Sequence, residues 1–240
     1  MKPYDIFAVS MERLVEDAWS LRTEFDLSKV AYGTVHWGDF KQVLTEPFSY
    51  YYFLAGVVRL TGARRILEVG THQGGSARAL ASGFADPANS RLVTFDVTDH
   101  GVRMFKGHPS IKAYSFDANS EAAFETCLKE FGGPQIDVAF VDSTHEFWTT
   151  LQSFNLSAAL LACPIVVLDD ITLNESMARL WKLLRTRYGT ANTIDAVEVV
   201  PAIREGGNGT RPGFGVVRIP PVELAMLLHS ADVRNTGGHS

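Results

Sequence analysis

From Arg65 to Tyr188 the sequence alternates short apolar runs with stretches of helical period. The runs are Arg65 to Val69, Arg91 to Phe95, Ile111 to Phe116, Ile136 to Val141 and Ile165 to Leu168, rich in Val, Ile, Leu and Phe rather than strictly alternating. Strands of that texture are covered on both faces, as in parallel sheets. Helical stretches begin at Ser76, Ser120, Glu146 (to Ala162) and Glu175 (to Tyr188). Strand, helix and strand in series predict an α/β chain with a doubly wound, Rossmann-like sheet. The alternation stops at Ile194 to Val200 and Phe214 to Ile219, which are separated only by a loop rich in Gly, Asn, Pro and Arg. These two are expected to form a hairpin that ends the sheet in an antiparallel pair.

Two helices precede this region. Met11, Leu14, Val15, Ala18 and Trp19 recur at helical spacing after Ser10, and Tyr50, Phe53, Leu54, Val57 and Val58 do so between Pro47 and Gly62. Tyr51 lies off that second stripe and is expected to reach outward. Tyr32 to Phe40 (YGTVHWGDF) has turn glycines and aromatics but no period, so it reads as a loop able to cover a pocket, with Gly206 to Gly213 opposite. One domain over residues 1–240 follows: an N-terminal helical cap or lid (1–62), a core (63–220) and a tail (221–240). In that tail Val222 to His229 reads as a short helix and Ala231 to Ser240 as frayed.

Composition removes several classes of function. A chain of 240 residues, 46% hydrophobic, can build a sizeable core. With 22 Lys and Arg against 27 Asp and Glu, a net charge of -5 and no basic block, nucleic acid is not an expected partner. Asp5 interrupts the N-terminus where a signal peptide would be apolar, and the best apolar run, Ala158 to Leu168, is short and broken by Pro164. No membrane association and a cytoplasmic location are therefore expected, which makes the sequons at Asn155, Asn174 and Asn208 coincidental. Cys127 and Cys163 are the only cysteines, too few for a disulfide framework or a cysteine-based zinc site.

Ile66 to Ser76 reads ILEVGTHQGGS, a strand, a glycine turn and a helix whose free N–H groups face the carboxyl edge of the sheet. Its glycines, Gly70, Gly74 and Gly75, do not have dinucleotide spacing, which argues against a nicotinamide cofactor. The next strand ends at Asp96, where a carboxylate can accept from both hydroxyls of a ribose. The third ends SFDA, placing Asp117 and Ala118 where an adenine amino group could be met. In that order the residues describe a nucleoside pocket without a phosphate grip; the alternative is an ordinary tight turn with two solvated aspartates.

A second group follows. FVDSTHE, Phe140 to Glu146, closes the fourth strand, and VVLDD, Val166 to Asp170, closes the fifth. Parallel neighbours would bring Asp142, Asp169 and Asp170 together, since strand ends lie about 5 Å apart. Converging carboxylates repel unless a cation neutralises them, and Mg2+ prefers oxygen ligands. The alternative is that Asp142 orients a loop while Asp169 and Asp170 cap the next helix. His36, His72 and His100 have no metal-ligand spacing.

Through ILEVGTHQGGS, LVTFD and SFDA, over roughly Arg65 to Ile219, the sequence resembles the class I S-adenosylmethionine-dependent methyltransferases. The resemblance implies a seven-stranded sheet with its last strand antiparallel. It implies S-adenosyl-L-methionine as cofactor, with Glu68, Gly70, Thr71, Gly74 and Ser76 about the methionine part, Asp96 at the ribose, Asp117 and Ala118 at the adenine, and Asp142 close by. Through Asp142 and the Asp169-Asp170 pair it narrows to the metal-dependent O-methyltransferases, of catechol and caffeoyl-CoA type and the bacterial enzymes of sugar and antibiotic hydroxyls. There Asp142, Asp169 and Asp170 fall on the Mg2+ ligand positions. His145 falls where catechol-type enzymes carry a catalytic lysine and some antibiotic-sugar enzymes a histidine, which implies a general base. Asp-Asp in place of Asp-Asn is similar to the sugar and antibiotic branch. Ala162-Cys163-Pro164 departs from the usual glycine pair before the fifth strand, and Tyr32 to Phe40 matches no acceptor motif of the family. The expected partner is a small-molecule hydroxyl acceptor, with homo-oligomerisation left open. The rival expectations are a metal-independent O- or N-methyltransferase and a non-catalytic nucleoside-binding protein.

Overall fold

The computed structural model describes residues 4–30, 34–37, 40–43, 47–204 and 212–226. Ser10 caps helix α1 (Met11–Ser20), its Oγ accepting the Arg13 N–H at 3.2 Å, and Met11, Leu14, Val15 and Ala18 face inward. Such a cap stabilises a helix by about 1 kcal/mol. Strands β1 (Thr34–Trp37) and β2 (Phe40–Val43) pair as a small antiparallel hairpin. Helix α2 (Ser49–Thr61) follows and stops at Gly62, which adopts the left-handed conformation.

The main sheet then builds up in alternation: β3 (Arg65–Val69), α3 (Gly75–Ser82), β4 (Arg91–Asp96), α4 (His100–Met104), β5 (Ile111–Ser115), α5 (Glu121–Phe131), β6 (Val138–Val141), α6 (Phe147–Asn155), β7 (Ile165–Asp169) and α7 (Glu175–Tyr188). It closes with β8 (Thr193–Asp195), the short α8 (Ala196–Val199) and β9 (Phe214–Arg218). The strand order is β5-β4-β3-β6-β7-β9-β8, seven strands in all. Strands β3 to β7 are mutually parallel, and β9 runs antiparallel to both β7 and β8.

Continuous apolar strands have a direct reading here. Successive strand residues point to opposite faces, so Ile66, Val138, Phe140, Ile165 and Val167 pack under α1, α2 and α3, while Leu67, Ala139, Val141, Val166 and Leu168 pack against α5, α6 and α7. Each fully buried Leu, Ile, Val or Phe contributes about 1.5–3 kcal/mol of transfer free energy, and that driving force acts on both faces. The N-terminal segment is fastened to the sheet by a buried cation: Arg218 Nη1 donates to the carbonyls of Ile6 at 2.6 Å and Val9 at 2.8 Å, and Nη2 to Ala191 at 2.7 Å.

Several expectations change. Tyr32 to Phe40 is not a period-free loop, because its described residues enter the β1–β2 hairpin. The strand expected over Ile194 to Val200 is shorter and turns into α8, followed by a 3-10 turn over Pro201–Arg204, so the terminal pair is no simple hairpin. The long helix expected from Glu146 ends at Asn155 in a π turn, Leu156–Leu160. Tyr51 does not reach outward: it is buried, whereas Tyr52 is partly exposed. Residues 221–226 are helical, and the rest of the expected C-terminal helix and tail, like most of Gly206 to Gly213, lies outside the described residues. Cys127 and Cys163 are both buried and free. Among the described residues no helix is long and apolar enough to cross a membrane.

Candidate active site at the carboxyl edge of the sheet

Register lines up the strand ends. Val69 pairs with Phe95 on one side and Val141 on the other, and Val141 pairs with Leu168. The residues that follow, Gly70, Asp96, Asp142 and Asp169, therefore share one edge. Gly70 has φ +100°, and a Cβ there would lie 1.7 Å from the carbonyl oxygen of Asp142. Glycine is needed for both reasons. Gly74 is left-handed at the start of α3 and offers no side-chain cap, so the first N–H groups of that helix remain open at the edge.

Beneath this turn runs a chain of polar groups. The Thr71 and Thr94 hydroxyls are 2.6 Å apart, and Thr94 Oγ1 donates to Glu68 Oε2 at 2.5 Å. Glu68 is fully buried, and its Oε1 has no hydrogen-bond partner among the described residues. Asp96 accepts the His72 N–H on Oδ2 at 2.8 Å, and on Oδ1 both the Thr98 N–H at 2.8 Å and the Thr98 hydroxyl at 2.9 Å, which leaves Oδ2 a further lone pair. Asp117 is exposed and accepts the Asn119 N–H at 2.9 Å, with Ala118 buried beside it. Phe48, Tyr50 and Tyr51, at the start of α2, roof a cleft whose floor is Gly70 to Gln73, Gly75, Ser76 and Asp142.

The second group meets at the ends of β6 and β7. His145 holds φ +56°, and its carbonyl accepts from Asn174 Nδ2 at 3.1 Å. Its Nε2 lies 3.4 Å from Asp142 Oδ1 and 3.3 Å from Asp170 Oδ2, ion-pair distances without hydrogen-bond geometry. Asp169 is buried, and its Oδ1 accepts the Asp170 N–H at 2.9 Å. Neither aspartate caps α7, a role taken by Asn174, whose side chain accepts the Met177 N–H. Asp142, His145 and Asp169 carry potential ligand atoms within 4.8 Å of one another.

With this geometry in hand, residues 67–171 match a family model described as a methyltransferase domain. This stretch is a methyltransferase domain. No curated protein sequence matches the chain. Among solved structures it is similar to an O-methyltransferase from Bacillus cereus in complex with SAH, at 16% identity and TM-score 0.52, covering 86% of this chain and 91% of that one. It is also similar to the O-methyltransferase TomG from Streptomyces achromogenes, involved in tomaymycin synthesis and solved with SAM, at 22% identity and TM-score 0.50, covering 86% and 89%. A third is a protein from Staphylococcus aureus described as a putative caffeoyl-CoA O-methyltransferase, at 11% identity and TM-score 0.52, covering 89% and 94%. At these identities the likeness is one of fold: the seven-stranded Rossmann-like sheet with its antiparallel strand.

The methyltransferase domain receives its most consequential side chain from outside the matched stretch. Arg204, at the end of the 3-10 turn, extends Nη2 to Asp169 Oδ1 and, at 3.0 Å, to Asp170 Oδ1. Its guanidinium stacks 5.0 Å from the Tyr50 ring centroid and 5.1 Å from that of Phe214. Sequence reading missed it, because an arginine beside a glycine-rich loop has no spacing that ties it to aspartates 34 and 35 residues earlier. Tyr50, which the sequence places on the packing stripe, and Tyr51, which it places off that stripe, both line the cleft.

Electrostatics follow from burial. Burial raises the Asp170 carboxyl, with His145 pulling it back and Asp142 pushing it further. Burial opposes protonation of His145, but Asp142 and Asp170 outweigh it, and the net shift is upward. Burial lowers Arg204, against the opposing influence of Tyr50 and Asp142. The largest resolved carboxylate shift is Glu68, pushed up to about 8 by desolvation. Shifted groups gathered at one sheet edge mark that edge as a candidate site of proton chemistry.

Proposed function

We propose that this chain transfers the methyl group of S-adenosyl-L-methionine to a hydroxyl of a small molecule. The observation that carries the reading is the double role of Asp142. It lines the cleft with the glycine turn and at the same time pairs with His145, so a cofactor seated on the turn and a base beside the acceptor would share one wall. The orphaned Oε1 of Glu68 and the open start of α3 suit a zwitterionic methionine moiety, and Asp96 Oδ2 retains a lone pair for a ribose hydroxyl. The names of the B. cereus and S. achromogenes proteins, which bind SAH and SAM, support the same cofactor and O-methyl transfer here.

S-adenosyl-L-methionine bound there would supply an electrophilic methyl group and leave as S-adenosylhomocysteine once the acceptor oxygen had taken it. His145 is placed to take the proton that the acceptor hydroxyl gives up. The chain chiefly supplies alignment and a positioned base. The net charge of -5 favours a small acceptor over nucleic acid, and the cytoplasm is the compartment proposed on sequence grounds.

A second, metal-dependent reading is favoured by the ligand atoms of Asp142, His145 and Asp169. Two carboxylates and an imidazole fit a divalent cation. Mg2+ held there would make the acceptor hydroxyl more acidic. It would also draw on His145 as a ligand and leave Asp170, expected from the sequence as the third, to Arg204.

The test is S-adenosylhomocysteine release over a panel of sugar, phenol and amine acceptors, with and without EDTA. Hydroxyl acceptors should turn over, and His145→Ala should lower the rate by roughly 100- to 10,000-fold while cofactor affinity holds. Turnover confined to amines, or cofactor binding with no turnover on any acceptor, would overturn the reading. Loss of turnover in EDTA would select its metal-dependent form.

A further inference from the structure

We propose that Arg204 is the resident cation of the acidic centre and that it competes with a divalent metal for Asp169. The inference rests on the acidic centre of the proposed function but not on the reaction itself. Three aspartates on two strand ends need positive charge nearby, and the chain brings its own. Arg204 Nη2 reaches both Asp169 and Asp170, and its side chain is only 14% exposed. Tyr50 and Phe214 stack against its guanidinium, so the position is held by cation–π contact as well as by charge. Asp170 faces His145 through its other oxygen, Oδ2.

Any ion ligated by Asp142, His145 and Asp169 takes Asp169 as a ligand, the residue Arg204 already occupies. A divalent cation and a guanidinium on one buried carboxylate repel strongly, because little water lies between them to screen the charges. One must yield. Arg204 is well held yet incompletely satisfied: its buried Nε has no hydrogen-bond partner among the described residues. That leaves the pairing open to displacement at high metal concentration, and it makes Arg204 the residue that sets metal affinity. It is a positioning residue: no contact with substrate is required of it.

The experiment measures Mn2+, a stand-in for Mg2+, by the loss of its free electron paramagnetic resonance signal on titration with protein. Wild type is compared with Arg204→Met, without cofactor or acceptor. The variant should bind one Mn2+ per chain at least about tenfold more tightly than wild type, since a full positive charge has left the ligand shell. Arg204→Lys, which keeps a charge, should stay within a few-fold of wild type. Equal Mn2+ affinity in wild type and a folded Arg204→Met, or no uptake by either, would overturn the proposal. If Arg204→Met does not fold, Arg204→Gln keeps hydrogen-bond donors while dropping the charge and carries the same comparison. S-adenosylhomocysteine binding is measured separately on the same proteins, so failure of the methyltransferase reading shows in that signal and leaves the Mn2+ ratio legible.

Discussion

Glu68→Gln is expected to stabilise the protein at neutral pH, by an amount that depends on pH in a defined way. The carboxyl is fully buried, with one oxygen bonded to Thr94 and the other without a partner among the described residues. Desolvation is the main reason its pKa rises from 4.5 to about 8, with the Ser76 and Thr94 hydroxyls pulling it down and Asp142 and Asp96 pushing it up. Between those two values the folded chain keeps a proton that the unfolded chain releases, so stability falls as pH rises from 4.5 towards 8. At about pH 7 the gap of about 2.5 units sets a ceiling near 3.4 kcal/mol. Relaxation and water entry reduce the expected gain to about 2 kcal/mol. Glutamine keeps the shape and the acceptor for Thr94 with no charge to bury. Urea unfolding of both proteins at about pH 5, 7 and 8.5 checks this: the difference should be under about 1 kcal/mol at the lowest pH and grow steadily. A variant less stable than wild type at neutral pH, or a difference that does not change with pH, would refute the reasoning. The same variant should bind S-adenosylhomocysteine more weakly, because a cofactor ammonium group beside Glu68 would draw the proton off the carboxyl and gain an anionic partner that glutamine cannot become. Such a gain in stability at the expense of binding is usual for strained sites.

Gly70→Ala is expected to cost at least about 3 kcal/mol, since φ +100° is strained for alanine and its Cβ would overlap a backbone carbonyl at 1.7 Å; thermal melting of the purified variant, or its failure to accumulate as folded protein, checks this. Asp96→Ala should weaken S-adenosylhomocysteine by about 1–3 kcal/mol in calorimetry, because a ribose hydroxyl and the His72 N–H both lose an acceptor. Unchanged affinity in a folded Asp96→Ala would remove that residue from the cofactor site.

What the sequence determined by itself was whatever repeats along the chain. Apolar runs at strand length, helical stripes and the glycine turn are local patterns, and they sufficed for the alternating sheet, for α7 over Glu175–Tyr188 and for the strand ends that carry Asp96, Asp142 and Asp169. Where two local preferences compete, the pattern was weaker. The aromatic stretch before Phe40 pairs into a hairpin that depends on strand partners, and the residues after Asp195 trade strand for helix once an N-cap becomes available. The tertiary structure alone decided the charge balance of the site. Asp169 and Asp170 read as a metal pair because carboxylates in sequence show their own charge and not their neighbours. Arg204 reaches them only because the turn after α8 packs beside Tyr50 and Phe214, elements far apart along the chain. Glu68 is the same lesson in reverse: its identity is visible in the sequence, but its protonation follows from a burial that only the closed sheet creates.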